Sequence, residues 1–198
     1  MEANYIGHDL ILTEYIDKLI PKNLDNLRIL EYGCYKGFWG WFLRSNKTGK
    51  PKFLMGVDVD SRLLPIHDRL NLYDILCLAN PDSYDLPDMV YQYGEYDLTL
   101  FCETIEHMNK IQGRKILEHL LEISRHMIIT TPNGFMPNQV KDMLFLTHLS
   151  GWNIKDFAPY KLKHVVVKRK RIIRLYLKLI ELIKRKKTTH EEFLLLWK

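Results

Sequence analysis

The 198-residue chain is long enough for one well-buried domain and too short for two ordinary ones. Its composition, 46% apolar and 27% charged, is that of a soluble globular protein, and no apolar run approaches the length of a membrane span. The net charge of +5 is unevenly spread: residues 163–187 carry eleven Lys or Arg against the single acid Glu181, which leaves the rest of the chain at −5. An anionic partner is therefore to be sought at that basic segment.

The N-terminus, MEANYIGHDL, lacks the basic-then-apolar layout of a signal peptide. Cys34, Cys77 and Cys102 lie far apart and form no CxxC or Cys/His cluster, so reduced thiols and no metal site are expected. A cytoplasmic location follows as the expectation.

Strand-like and helix-like patterns alternate along the chain. Residues 9–20 place apolar side chains at helical spacing, with Asp9 as N-cap and Pro21 as the stop. RILEY (28–32) is an apolar strand running into a glycine loop, and a helix follows over 38–44. FLMGVDV (53–59) is the next strand, followed by a short helix around 62–70 and a third strand, YDILCL (73–78). NPDSYDLPD (80–88) is loop, YDLTLFC (96–102) a fourth strand and 112–124 a strongly amphipathic helix. HMIITT (126–131) is a fifth strand, ending at the breaker PNG, and a helix is expected over 137–147. KHVVVK (163–168) and FLLLWK (193–198) are strand-like, with a helix over 171–187 between them. The alternation implies crossover connections and a parallel sheet, and the unbroken apolar strands imply helices on both faces. The expected fold is one doubly wound α/β domain covering residues 1–198.

In such a sheet a ligand sits beyond the carboxyl ends of the central strands, where strand order reverses. The first strand ends in Glu31-Tyr32-Gly33-Cys34-Tyr35-Lys36-Gly37, whose two glycines permit a tight turn and close backbone approach. The second ends in Asp58 and Asp60, about 25 residues beyond Gly33, where a carboxylate can accept both hydroxyls of a ribose. The third ends near Asn80, the fourth at Glu103 with Glu106 and His107 just after, and the fifth at Thr131-Pro132-Asn133-Gly134. This ordered set of polar strand tips indicates an adenosine-type site. A dinucleotide fingerprint would need Gly-x-Gly-x-x-Gly, whereas the glycines here are Gly33, Gly37 and Gly40, with Tyr35 between the first two.

Residues 28–157 resemble the class I S-adenosylmethionine-dependent methyltransferases. LEYGCYKGFW is similar to their first motif, GVDVD to the second-strand acid, YDLTLFCETIEHM to the fourth-strand motif and IITTPNG to the fifth strand. TPNG followed by HLSGWNIKDF (148–157) is similar to a subgroup of prokaryotic methyltransferases without a defined substrate. The resemblance implies a mostly parallel, seven-stranded Rossmann-like sheet, S-adenosylmethionine as cofactor and S-adenosylhomocysteine as product. It implies that Glu31, Gly33, Cys34 and Gly37 shape the pocket for the methionine part. Asp58 would hold the ribose, Val59 would pack on the adenine, Asn80 would read the adenine amino group, and Glu103 would form the pocket floor. Two positions depart from the family pattern: Tyr35 replaces the middle glycine, and Asn80 stands where an Asp is frequent.

Methyl transfer from a sulfonium needs alignment and, for a hydroxyl or amine acceptor, removal of a proton. His107 and His148 are the candidate bases; each also reads as an ordinary structural residue. Trp152 fits either a packed core or a substrate lid, and Tyr32, Phe38, Trp39 and Trp41 read mainly as core of the first helix, with one of them a candidate wall of the cofactor site. The acceptor expected is a small molecule, lipid or glycan. The alternatives are a non-catalytic cofactor-binding protein and a nucleic-acid methyltransferase recruited through the basic segment. Helix 171–187 has one polar stripe and a broad apolar face, suited to packing on the sheet, to a homodimer or to an anionic membrane surface.

Overall fold

Apolar runs that are unbroken in sequence bury both faces of a strand, and RILEY, FLMGVD and YDLTLFC lie inside the sheet. The structure, a computed structural model, describes residues 5–138, 144–168 and 192–198. Helix α1 (Tyr5–Leu19) ends just before Pro21, which has no N–H to continue it. It starts at Tyr5, so Asp9 lies inside the helix and does not cap it, because the helical turn already includes the residues before the apolar spacing begins. Strand β1 (Arg28–Tyr32) leads through the glycine loop into α2 (Phe38–Asn46). Strand β2 (Phe53–Asp58) is followed by a 3-10 turn at Ser61–Leu63 and α3 (Leu64–Leu70). Next come β3 (Ile75–Leu78), a five-residue helix α4 (Asp88–Gln92) and β4 (Tyr96–Cys102). Helix α5 (Lys110–Ile123) begins where the Asn109 side chain accepts the N–H groups of Ile111 and Gln112. It runs into β5 (Ser124–Pro132). A 3-10 segment at Ile154–Tyr160 precedes β6 (Lys163–Lys168), and β7 (Glu192–Trp197) closes the chain.

The expected helix over 137–147 is not seen in its described part: residues 135–138 are irregular and Leu144–Leu146 form a 3-10 turn. Residues 139–143 lie outside the described residues, as does the expected helix 171–187 with its basic clusters.

The seven strands form one sheet in the order β3-β2-β1-β4-β5-β7-β6. Strands β1 to β5 pair in parallel, whereas β7 is antiparallel to both β5 and β6. The sheet is therefore mixed, which corrects the expectation of a mostly parallel one. An apolar run such as EFLLLW is the same pattern in either direction, so periodicity carries no information about strand sense. Among the described residues no helix is long and apolar enough to cross a membrane.

Side-chain alternation splits the core between the two faces. On one, Leu30, Met55, Val57, Phe101 and Ile129 pack with Ile116, Leu117 and Leu120 of α5 and with Trp152 and Phe157. On the other, Ile29, Leu54, Leu98 and Ile128 pack with Leu12 and Ile16 of α1 and with Trp39, Phe42 and Leu43 of α2. Trp152 is fully buried, against Phe157 and under the Lys110 ammonium, 4.3 Å from its ring. Its indole N–H donates to Ser150 Oγ at 2.8 Å, and its carbonyl accepts from Gly134 at 2.6 Å. That pair of contacts ties the TPNG turn to the HLSGW segment and makes Trp152 core, not lid. Trp152→Ala is expected to cost about 3–5 kcal/mol of folding stability, measured as a lowered midpoint in urea unfolding.

Candidate functional site

Strand order reverses between β1 and β4, and the loops after those strands and β2 enclose the cleft there. The first loop is built from backbone contacts that its glycines allow. Gly33 (φ 84°) and Cys34 both donate their N–H to the Val57 carbonyl, at 2.8 and 3.0 Å. Tyr35 takes a left-handed φ of 39°, the region that favours the glycine it replaces, and its N–H donates to Asp58 Oδ2 at 2.7 Å. The other Asp58 oxygen accepts the Asp60 N–H at 3.0 Å. One carboxylate thus organises the loops after both β1 and β2. Asp60 itself is a cap: it accepts the Arg62 N–H and pairs with the Arg62 guanidinium at 2.8 Å. Gly37 (φ 79°) sits at the N-cap of α2.

A cleft of about 800 Å³ opens at these strand ends, and Glu31, Gly33, Cys34, Asp58, Val59, Asn80 and Glu103 all line it. Gly37, expected to shape the pocket, is not in the wall; its left-handed turn starts the helix behind the loop. Phe38 and Trp39 also line the cleft, whereas Trp41 is half exposed. The Trp39 indole N–H is buried without an acceptor among the described residues, a donor that a bound ligand can satisfy. Asn80 Oδ1 accepts the Asp82 N–H at 3.0 Å, forming a turn that brings Asp82, Ser83 and Tyr84 to the wall. Gln112 fixes this turn from α5, donating to the carbonyls of Pro81 and Ser83 at 2.7 Å each. Gln112 carries no motif in sequence, and Thr104 lies within the fourth-strand segment without being singled out there. They are recognisable only as the residues facing the two loops.

The wall is acidic. Among the described residues, Glu31, Asp58, Asp82 and Glu103 contribute four carboxylates against the one ammonium of Lys36. Burial raises the Asp58 carboxyl above its ordinary range, opposed by the amide hydrogen bonds it accepts. Burial and the nearby Glu31 push the Cys34 thiol up, so it is a neutral wall group and not a nucleophile. Glu31 is 3% exposed and accepts the Tyr73 hydroxyl at 2.8 Å.

His107 lines the cleft and packs edge-to-face on His148, with ring centroids 4.7 Å apart. Burial first, and then His148, lowers its pKa to about 3. An imidazole with so low a pKa is a weak acceptor of an acceptor's proton near neutral pH. His148 is buried beside it and is not in the cleft wall.

No family model matches the sequence, and no curated protein matches it. Solved structures do. A bacterial CtHen1 methyltransferase domain is 16% identical, with 93% of this chain and 94% of that one covered and a TM-score of 0.56. An S-adenosylmethionine-dependent methyltransferase from Mesorhizobium loti is 14% identical, covers 94% and 96%, and has a TM-score of 0.58. Magnesium protoporphyrin IX methyltransferase from Synechocystis, solved with bound S-adenosylmethionine, is 11% identical, covers 98% and 80%, and has a TM-score of 0.57. The chain has the class I Rossmann-like fold of the S-adenosylmethionine-dependent methyltransferases.

The first loop can be tested by its tightest contact. A Cβ on Gly33 would stand 2.1 Å from Thr104 Oγ1, in a backbone conformation that L side chains rarely adopt. Gly33→Ala is expected to destabilise the fold by at least about 1–3 kcal/mol. Adding Thr104→Ala should recover only the part due to Oγ1 and Cγ2, read as non-additive urea midpoints in the double-mutant cycle.

Proposed function

We propose that the chain is an S-adenosylmethionine-dependent methyltransferase acting on a small-molecule, lipid or glycan acceptor. The observation that carries the reading is the acidic cleft at the point of strand reversal. S-adenosylmethionine bears a sulfonium and an ammonium against one carboxylate, and it has no phosphate. Four wall carboxylates against one lysine attract such a ligand. They would repel the pyrophosphate of a dinucleotide, and no helix N-terminus with the Gly-x-Gly-x-x-Gly spacing is there to receive one.

Roles follow from position. Asp58 has about four lone-pair sites and accepts from the amides of Tyr35, Asp60 and Val59, which leaves capacity for a ribose hydroxyl. The turn at 80–84, held by Gln112, borders the adenine end, and Glu31, Cys34 and Glu103 border the methionine end. The cofactor brings the activated methyl group. The chain's own residues fix it in the cleft and align it with an incoming nucleophile.

Calorimetry with S-adenosylmethionine tests the reading. The full chain should bind one equivalent, and Asp58→Ala should weaken binding roughly ten- to hundredfold, the worth of hydrogen bonds to a charged group. No heat at millimolar cofactor would sink the proposal. Binding with no methyl transfer across a broad acceptor panel would identify a non-catalytic cofactor-binding protein instead.

A further inference from the structure

The strand tips account for the cofactor's share of the cleft, and the remaining wall is of a different kind. Phe38 at the start of α2, Met108 after β4, and Phe145, Leu146 and Leu149 after β5 all line it, and none of the five side chains carries a hydrogen-bond donor. We infer that this apolar band holds the methyl acceptor, and that the acceptor is a phenol: a neutral, flat aromatic molecule with its reacting hydroxyl on the ring. The inference rests on the methyltransferase reading and narrows its acceptor to one chemical class.

Residues 145–149 cross the mouth of the cleft. At one end the Leu149 N–H donates to the Glu106 carbonyl at 2.8 Å, beyond the tip of β4. At the other the Phe145 ring lies 5.2 Å from the guanidinium carbon of Arg62, which pairs with Asp60 beyond the tip of β2. Strand β1 lies between β2 and β4, so the segment passes over the loop that follows β1. Two strand spacings are about 10 Å and four extended residues reach ~13 Å, so the segment is long enough to bridge them. The cleft of about 800 Å³ is near the upper end of the ~300–1,000 Å³ range of ligand pockets, which leaves space beside a cofactor at the strand tips.

The band is held in place without a ligand. The Ser150 N–H joins that of Leu149 on the Glu106 carbonyl, at 3.1 Å, and His148 Nδ1 lies 2.7 Å from the Met136 carbonyl. Leu149 nevertheless stays 58% exposed. An apolar side chain fixed in that position is stabilised when an apolar ligand covers it.

Chemistry selects among acceptors. A sugar would bury several hydroxyls against side chains that cannot pair with them, at a cost for each. A carboxylate or phosphate would meet the four wall carboxylates. The rings of Phe38 and Phe145 and the thioether of Met108 favour an aromatic body over a flexible chain, which loses more freedom on binding. The hydroxyl must also shed its proton without a strong side-chain base, since burial and then His148 hold the His107 pKa at about 3. A phenol, with a pKa of about 10, releases its proton to water at the cleft mouth far more readily than an aliphatic hydroxyl. Its oxygen then forms the new C–O bond to the methyl carbon as the C–S bond breaks, giving an aryl methyl ether and S-adenosylhomocysteine.

Calorimetry on the full chain with saturating S-adenosylhomocysteine tests the acceptor class, with 2-naphthol as probe against 1-octanol, methyl glucoside and 2-naphthoate. Binding of 2-naphthol at least about tenfold tighter than the other three is expected. Phe145→Ala and Leu149→Ser should each weaken it roughly fivefold or more and leave cofactor affinity unchanged. With S-adenosylmethionine instead, mass spectrometry should find 2-methoxynaphthalene from 2-naphthol and no ether from 2-naphthalenemethanol, whose hydroxyl is aliphatic. Any of the three competitors binding as tightly, variants that hold 2-naphthol like wild type, or equal transfer to the aliphatic alcohol would overturn the assignment. The ligand series on the wild type decides the matter if a variant fails to fold. Cofactor binding without 2-naphthol binding removes this inference alone, whereas the methyltransferase reading falls only if the cofactor itself does not bind.

Discussion

The Asp58 carboxylate is the joint on which the cleft depends. It ends β2, yet its two oxygens hold backbone N–H groups from two different loops, Tyr35 after β1 and Asp60 before the turn that leads to α3. A hydrogen bond to a charged group contributes about 1.5–3 kcal/mol. The left-handed conformation of a non-glycine residue costs roughly 1–2 kcal/mol. The bond to Asp58 can therefore offset the strain at Tyr35, and a bulky residue stands where a glycine is usual without collapsing the loop. Burial raises the energy of the Asp58 charge at the same time. The site thus keeps an incompletely solvated carboxylate at the spot where ribose hydroxyls would arrive.

A second strained residue lies across the strand reversal. Glu103 has φ 49°, and its N–H donates to the Thr130 carbonyl at 2.9 Å, so the tip of β4 is twisted towards the cleft while still anchored to β5. Gly33 and Thr104 meet directly between these two loops, which fixes their spacing sterically. Strain at Tyr35 and Glu103, both in the cleft wall, is the pattern expected where a rigid scaffold holds a binding geometry.

The central strands were legible in sequence because burial on both faces leaves unbroken apolar runs; RILEY and YDLTLFC begin and end as read. What pattern could not supply was direction, hence the antiparallel β7, and short structure, hence α4 at the end of the expected loop 80–88. At the site, Glu31, Gly33, Cys34, Asp58, Val59, Asn80 and Glu103 were legible because strand tips converge by topology alone. Gly37 starts α2 and is not in the cleft wall; a glycine that starts a helix and one that faces a ligand look the same in sequence. Gln112 and Thr104 were not singled out, and Trp39 was read mainly as core, because their roles depend on which helix or strand they face. The contact of His107 with His148 is set by the Leu149 and Ser150 N–H groups on the Glu106 carbonyl, and backbone groups leave no trace in residue types.

The sign of the cleft also constrains the chemistry of what enters it. Carboxylates at Glu31, Asp58, Asp82 and Glu103 lower the energy of cations and raise that of anions within a few ångströms, most strongly where water is excluded. An acceptor already ionised as a carboxylate or phosphate at its reacting end would meet that field on approach. A neutral hydroxyl would not, and it needs to become an oxyanion only at the moment of transfer. His107 is poorly suited to take that proton, since burial and His148 depress its basicity.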